Sequence, residues 1–227
     1  MKRFLKKNIG FIIFYIVLIV IIIVYMKYFR AVKKYEIVDS LNDLPYPTQI
    51  ATTGGFSQKM ATGTNINEKI KVSYLYEFEV WGKVVNTQDY YGFANFADAI
   101  SKRDITVVYG PLNDDEVLKN ITFSSTASRA VYYSFKVRDV ATVRKLKGMA
   151  DLYLSNIHAI HSNYKIEKLL QMVKVNDYIR MKGYLVNVDS ESGGYWHSKI
   201  PINGKGELQS HECQVMYVTE LVWLKEK

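Results

Sequence analysis

The sequence predicts an N-terminal transmembrane helix followed by a mainly-β domain with minor α content, folded as a small OB-like antiparallel barrel. Three observations predict it. Residues Asn8–Met26 carry no charge and read NIGFIIFYIVLIVIIIVYM. From Lys69 onward, apolar and polar residues alternate with period two, the signature of half-buried strands. A helical apolar stripe interrupts the strand-like segments clearly only once, at 164–173.

Taken in chain order, residues 1–7 form a basic tail with Lys2, Arg3, Lys6 and Lys7. Residues 8–26 are the expected membrane span. Its apolar side chains are Ile9, Phe11, Ile12, Ile13, Phe14, Ile16 and Val17, then Leu18, Ile19, Val20, Ile21, Ile22, Ile23 and Val24. At 1.5 Å per residue such a helix is roughly 28 Å long, close to the ~30 Å hydrocarbon core. In lipid the backbone must satisfy its own hydrogen bonds, so helix overrides the weak propensity of Ile and Val. Tyr25 and Tyr28 stand where an interfacial aromatic belt would lie. A cleaved signal peptide needs small residues after the apolar run, whereas YMKYFRAVKKYE is bulky and basic. No Cys follows the span closely enough for lipid attachment. Basic residues flank both ends almost equally, and the terminal amine favours the N-terminus inside and the body outside.

Residues 27–68 are expected to be a juxtamembrane segment and a linker or draped arm. LNDLPYPTQ has two prolines that favour extended backbone, and TQIATTGGFSQKMATGTNIN is rich in Thr, Gly and Asn. Its Ile50, Phe56 and Met60 leave room for it to pack along the body. Residues 69–227 form the β-rich globular domain. In KIKVSYLYEFEVWGKVVN, Val72, Tyr74, Tyr76, Phe78 and Val80 occupy alternate positions, and Gly82 marks a bulge or bend. Further strands are expected at Asp104–Tyr109, Ala130–Val137, Leu152–Ile160, Tyr178–Val188 and Cys213–Leu224. Ser162 or Asn163 caps a helix over Tyr164–Val173, whose Ile166, Leu169, Leu170 and Val173 form one stripe. A weaker helix covers Gly92–Lys102, and Asn113–Leu118 makes a short helical turn. Asn176–Asp177 reads as a polar turn into a strand bent at Gly183. A helix before the fourth strand suits an OB-type barrel.

The 30 basic and 22 acidic residues leave a net charge of +8. Eight of the basic residues lie between Met1 and Lys34, where no acidic residue occurs, so the body from residue 35 is electrically balanced. At 48% hydrophobic and 14% aromatic the chain is not disordered. One Cys excludes an intramolecular disulfide framework and a Cys-rich zinc module. A balanced body is poorly suited to counterion-release binding of nucleic acid, despite basic residues at Arg138–Lys147 and at Lys165, Lys168, Arg180 and Lys182.

The C-terminal part carries a resemblance. SNIHAIHSNYKIEKLLQMVKVNDYIRMKGYLVNV, then YWHS and HECQVMYVTELVWL, resembles a group of uncharacterised single-pass bacterial membrane proteins. The matching positions are Asn156, His158, Asp177, Gly183, Tyr184, Leu185, Val186, Trp196, Ser198 and Cys213. His161 stands where that pattern has Pro, Asn176 where it has Gly, and Gln214 where it has Glu. The resemblance implies a membrane-anchored bacterial envelope protein and no particular activity.

All four His and the single Cys lie between residues 158 and 213. His211 and Cys213 share a strand face at i, i+2, so they could pair as base and nucleophile, with His197 or Glu212 orienting. His158, His197, His211 and Cys213 are the weak candidates for metal ligation; His158 and His161, three apart, point to opposite faces of a strand. The bland alternative is a buried Cys behaving as a small hydrophobe. Gly193–Gln209 is a long Gly-rich loop, and Tyr195, Trp196, His197, Ser198 and Lys199 are its candidate interaction residues. No Walker loop, HExxH or GxSxG motif occurs.

These features point to a non-enzymatic protein, single-pass in the bacterial inner membrane with its C-terminal domain periplasmic. Its β domain would engage a protein partner or further copies of itself, without cofactor. The alternatives are an envelope hydrolase or metal-binding protein using the 158–213 cluster, and a single-stranded nucleic-acid binder.

Overall fold

The computed structural model describes residues 2–28, 32–62, 65–92, 96–209 and 213–227, with the side chains of 2–10, 25, 27–28, 61–62 and 65–66 outside the described set. Ile9, Tyr25, Tyr28 and the basic tail therefore lie outside the described side chains.

The chain divides into two units, Met1–Val32 and Lys33–Lys227. The first is the helix α1 (Lys2–Tyr28). Every side chain from Phe11 to Val24 is exposed, between 40% and 68%. That run rises roughly 21 Å. Among the described residues no helix is long and apolar enough to cross a membrane.

The second unit is mainly β with minor α. In order it holds β1 (Tyr35–Val38), β2 (Thr48–Ala51), β3 (Gly55–Thr62), β4 (Asn65–Asp89), α2 (Phe96–Ile100), β5 (Arg103–Val108), α3 (Asp115–Leu118), β6 (Ile121–Ser125), β7 (Val131–Phe135), α4 (Val140–Tyr153), β8 (Leu154–His161), α5 (Tyr164–Met172), β9 (Tyr178–Ser190), β10 (Tyr195–His197) and β11 (Gln214–Glu226).

A nine-stranded sheet dominates. β4 pairs antiparallel with β5, and β5 antiparallel with β8. β8 pairs parallel with β11, β11 antiparallel with β9, and β9 antiparallel with β4 again. Register brings apolar residues side by side: Val80 opposite Met181, Met181 opposite Leu221, and Ile105 opposite Ile157. All of these are buried, which drives the assembly at about 25 cal/mol per Å² removed from water.

β4 runs across 25 residues because it serves two sets of neighbours. One edge pairs with β9 throughout Ile70–Lys83. The other pairs with β3 and β2 before Gly82 and with β5 after it. A Cβ on Gly82 would sit 2.0 Å from the Val108 carbonyl oxygen, so the crossing requires glycine. Gly183 faces Tyr217 in the same way, at 2.1 Å.

The linker-like segment between residues 35 and 62 forms three strands. β1 lies parallel to the end of β11, and β2 and β3 hydrogen-bond to β4. Phe56 and Met60 of β3 then pack on a second apolar cluster, made by Ile70, Val72, Ile100, Ile160, Val186, Val188 and Val215. Four side chains tie the outer faces of the strands together. Arg180 of β9 donates to Glu36 of β1 at 2.8 Å, Glu79 of β4 at 2.6 Å and Glu220 of β11 at 2.6 Å.

Residues between β5 and β8 form an inserted subunit of structure: α3, the β6–β7 hairpin and α4. It has its own cluster around Val108, Leu112, Ile121, Leu146, Ala150 and Leu154. Asp139 caps α4, accepting from the Thr142 N–H at 2.8 Å. The basic run Arg138–Lys147 is largely the exposed face of this helix. Asn163 caps α5, accepting from the Ile166 N–H at 3.1 Å. Asn176 takes φ 74°, a left-handed conformation that Asn tolerates in turns.

Candidate functional site: a buried charged cluster over two paired strands

β5 and β8 are neighbours, and their register sets Asp104 opposite His158 and Thr106 opposite Asn156. Alternation then puts all four polar side chains on one face of the pair, while Ile105 and Ile157 take the other. All four are buried. The Thr106 hydroxyl donates to Asn156 Oδ1 at 3.3 Å. Polar groups cannot be left dry and unpaired without a cost of about 1–3 kcal/mol each, so something must cover and satisfy this face.

The cover is Arg129, from the turn of the β6–β7 hairpin. It is 7% exposed. Its Nη1 donates to Asp104 Oδ1 at 2.7 Å, and its Nη2 to Asp98 Oδ1 at 2.8 Å and to the Ser101 carbonyl at 2.6 Å. Asn156 Nδ2 donates back to the Arg129 carbonyl at 2.9 Å. The guanidinium lies 3.7 Å from the Tyr90 ring centroid and 5.2 Å from that of Trp196, a cation–π sandwich out of water. The residue is held at φ 65°, a strained backbone for a side chain of this size, and the surrounding contacts offset that strain.

His158 Nδ1 lies 2.9 Å from Asp104 Oδ1, an ion-pair contact inside the fold. Its ring packs on Trp196 with centroids 4.7 Å apart. Burial acts to lower the His158 pKa. Asp104 and Cys213 outweigh it and raise the group to about 9. The cluster therefore pairs two cations, Arg129 and His158, with two carboxylates, Asp98 and Asp104. Burial and the nearby Asp104 push the Tyr90 hydroxyl up, so it stays protonated.

The candidate residues from the sequence distribute as follows. His158 is inside the cluster, and Cys213 stands at its edge, its Sγ accepting from Asn156 Nδ2 at 3.8 Å. His197 is apart and exposed, with Nε2 2.8 Å from Asp189 Oδ1. His211 and Glu212 lie outside the described residues. Among the described residues no three of His, Cys, Asp and Glu are grouped to hold a metal ion. His161 is not part of the cluster. It lines a neighbouring cavity of about 510 Å³ with Glu167 of α5, and Tyr90 borders both.

The candidate loop is split by the fold. Trp196 turns inward over Arg129 and His158, whereas Tyr195 is exposed. The Ser198 and Lys199 N–H groups bond the Val186 and Cys213 carbonyls, so that part of the loop is tied down. Asp104, Asp98, Arg129 and Tyr90 carried no signal in the sequence. An Arg in a Ser/Thr/Ala turn reads as solvated, and only the folded hairpin buries it. Chemically, the arrangement holds a proton on His158, with Asp104 and then Cys213 as the groups that retain it against burial. Comparisons with protein families, with curated proteins and with solved structures find no match.

Proposed function

We propose that this is a membrane-anchored bacterial envelope protein whose β domain, a five-stranded OB-type barrel, mediates protein–protein interaction or assembly and is not an enzyme. The barrel reading is supported by the cyclic pairing β4–β5–β8–β11–β9–β4 with the helix α5 before the fourth strand of the ring. The anchor reading is supported by the uncharged run 8–26 and by the exposed apolar side chains of α1, which have no place in water.

One observation carries the choice of partner. OB barrels take oligonucleotides on the face of their second and third strands. Here those strands are β5 and β8, and their face is filled by Arg129 and roofed by Tyr90 and Trp196. A base or phosphate would have to displace a buried, fully paired guanidinium. Exposed tyrosines, among them Tyr132 on β7 and Tyr195 on β10, are of the residue type enriched in protein interfaces.

Two measurements test this. Alkaline phosphatase fused after Lys227 is expected to be active, placing the body outside the cytoplasm; an inactive fusion overturns the envelope assignment. A photo-crosslinking residue placed at Tyr132 or at Tyr195 is expected to give one and the same discrete protein adduct, absent when the residue replaces Lys205. Loss of that site dependence overturns the interaction surface.

A further inference from the structure

We infer that the cavity beside His161 is a binding site for an uncharged carbohydrate. It is a cleft between the end of β4 with Tyr90–Gly92 after it, the start of β5, the end of β8 and the α5 helix, and its volume of about 510 Å³ suits a ligand of one or two sugar rings.

The first argument is charge. Two cations and two carboxylates line the cavity, and they already neutralise one another. Arg103 Nη1 is 2.8 Å from Asp89 Oδ1, and Lys102 Nζ is 2.8 Å from Glu167 Oε1. Burial, the leading effect on His161, lowers its pKa, so its ring is neutral at pH 7. Burial opposes ionisation of Glu167, but the Lys102 ammonium bonded to it outweighs burial and holds the carboxyl below the usual value. An ion entering this cavity would meet an opposite charge already taken and a like charge beside it. A ligand without net charge meets neither.

The second argument is the kind of polar group. The Arg103 guanidinium already donates to Asp89 Oδ1 and to the Gln171 and Val173 carbonyls, whereas Asp89, Glu167 and Gln171 bring planar polar groups to the lining. Vicinal hydroxyls, each both donor and acceptor, match such planar pairs. His161 Nε2 stands 4.0 Å from Glu167 Oε2, too far for a direct bond. A hydroxyl between them could donate to the carboxylate and accept from the imidazole.

The third argument is the apolar surface. Leu170 and Ala159 contribute apolar atoms to the lining, and Tyr91 at the rim is 90% exposed. An unpacked tyrosine ring beside a polar cavity offers a flat apolar face, and the C–H face of a pyranose is its complement. No charged or purely apolar ligand uses all three features.

The inference is independent of the anchor and of any protein partner. The test uses the full chain in a detergent without a sugar headgroup, with calorimetric titration of cellobiose, N,N′-diacetylchitobiose, glucose 6-phosphate and lysine. At least one of the neutral disaccharides is expected to bind saturably, and Tyr91→Ala and Gln171→Ala are each expected to weaken it at least tenfold. Both residues are exposed, so neither substitution threatens folding, and circular dichroism checks this. No binding of either disaccharide, tighter binding of glucose 6-phosphate or lysine, or binding that survives both substitutions would overturn the inference.

Discussion

Asp104 and His158 face each other across β5 and β8, Oδ1 to Nδ1 at 2.9 Å, with both side chains 2% exposed. A carboxylate and an imidazole that close in a dry site hold the proton on the ring. Cys213 adds to this, and Arg129 completes the set on the other side of Asp104.

A pH dependence follows from that pair. The folded pKa of about 9 lies above the 6.5 of a free imidazole, so the folded state holds the proton more tightly. The contribution is fully present below pH 6.5 and is lost as pH rises through about 9. At 1.36 kcal/mol per pKa unit it amounts to about 3 kcal/mol. Thermal unfolding between pH 6 and pH 10 is expected to show Tm falling across that window, and His158→Gln is expected to flatten the fall. An unchanged slope in the variant would count against the pairing.

Removing Arg129 takes the shared guanidinium from the buried Asp104 and the half-buried Asp98. Losing one side of a buried ion pair costs about 3–5 kcal/mol. Arg129→Ala is expected to lower denaturant stability by that amount. Arg129→Lys is expected to recover little of it, because one ammonium cannot span two carboxylates and a carbonyl while stacking on Tyr90. Full rescue by Lys would show that charge alone matters there.

The glycines at the two crossings allow a backbone test. Gly82→Ala and Gly183→Ala each force a Cβ to within about 2 Å of a carbonyl oxygen. Each is expected to destabilise by about 3 kcal/mol or more, at the severe end of single substitutions. Gly204→Ala meets nothing within 4 Å and is expected to be neutral. Equal stability of all three would contradict the close strand crossings.

Arg180 gathers Glu36, Glu79 and Glu220. Glu36 and Glu220 are well exposed, so solvent screens much of the gain. Arg180→Ala is expected to lose about 1–2 kcal/mol, and to regain part of it in high salt as the three carboxylates cease to repel one another. A variant whose stability is insensitive to salt would argue that the cluster is not coupled.

Apolar-rich strands bounded by polar turns were legible without a structure. β5, β8, β9 and β11 and the helix α5 lie within a few residues of their expected spans, because each carries enough apolar residues between polar turns to be recognised. The expected helix over Gly92–Lys102 reduces to α2, with residues 93–95 outside the described set. β6 and α4 were not legible. ITFSS is too polar to look like a strand, and VATVRKLKGMADLY buries only Leu146 and Ala150, so its charges mask the helix. β2 and β3 were hidden by a linker-like composition, since strands held by main-chain bonds to β4 need little apolar sequence of their own.

The sequence by itself determined where the charge and the apolar mass lie along the chain. The positive excess flanks residues 8–26, and the body is balanced and patterned for strands. Those are local properties, fixed by composition and period. Only the tertiary structure decided which polar groups meet. Asp98, Asp104, Arg129 and His158 come from four separate segments, α2, β5, the β6–β7 turn and β8, and the fold brings them into one cluster. Strand register and the fold of the inserted hairpin set that meeting. Both arise from contacts distant in sequence, which no local pattern encodes.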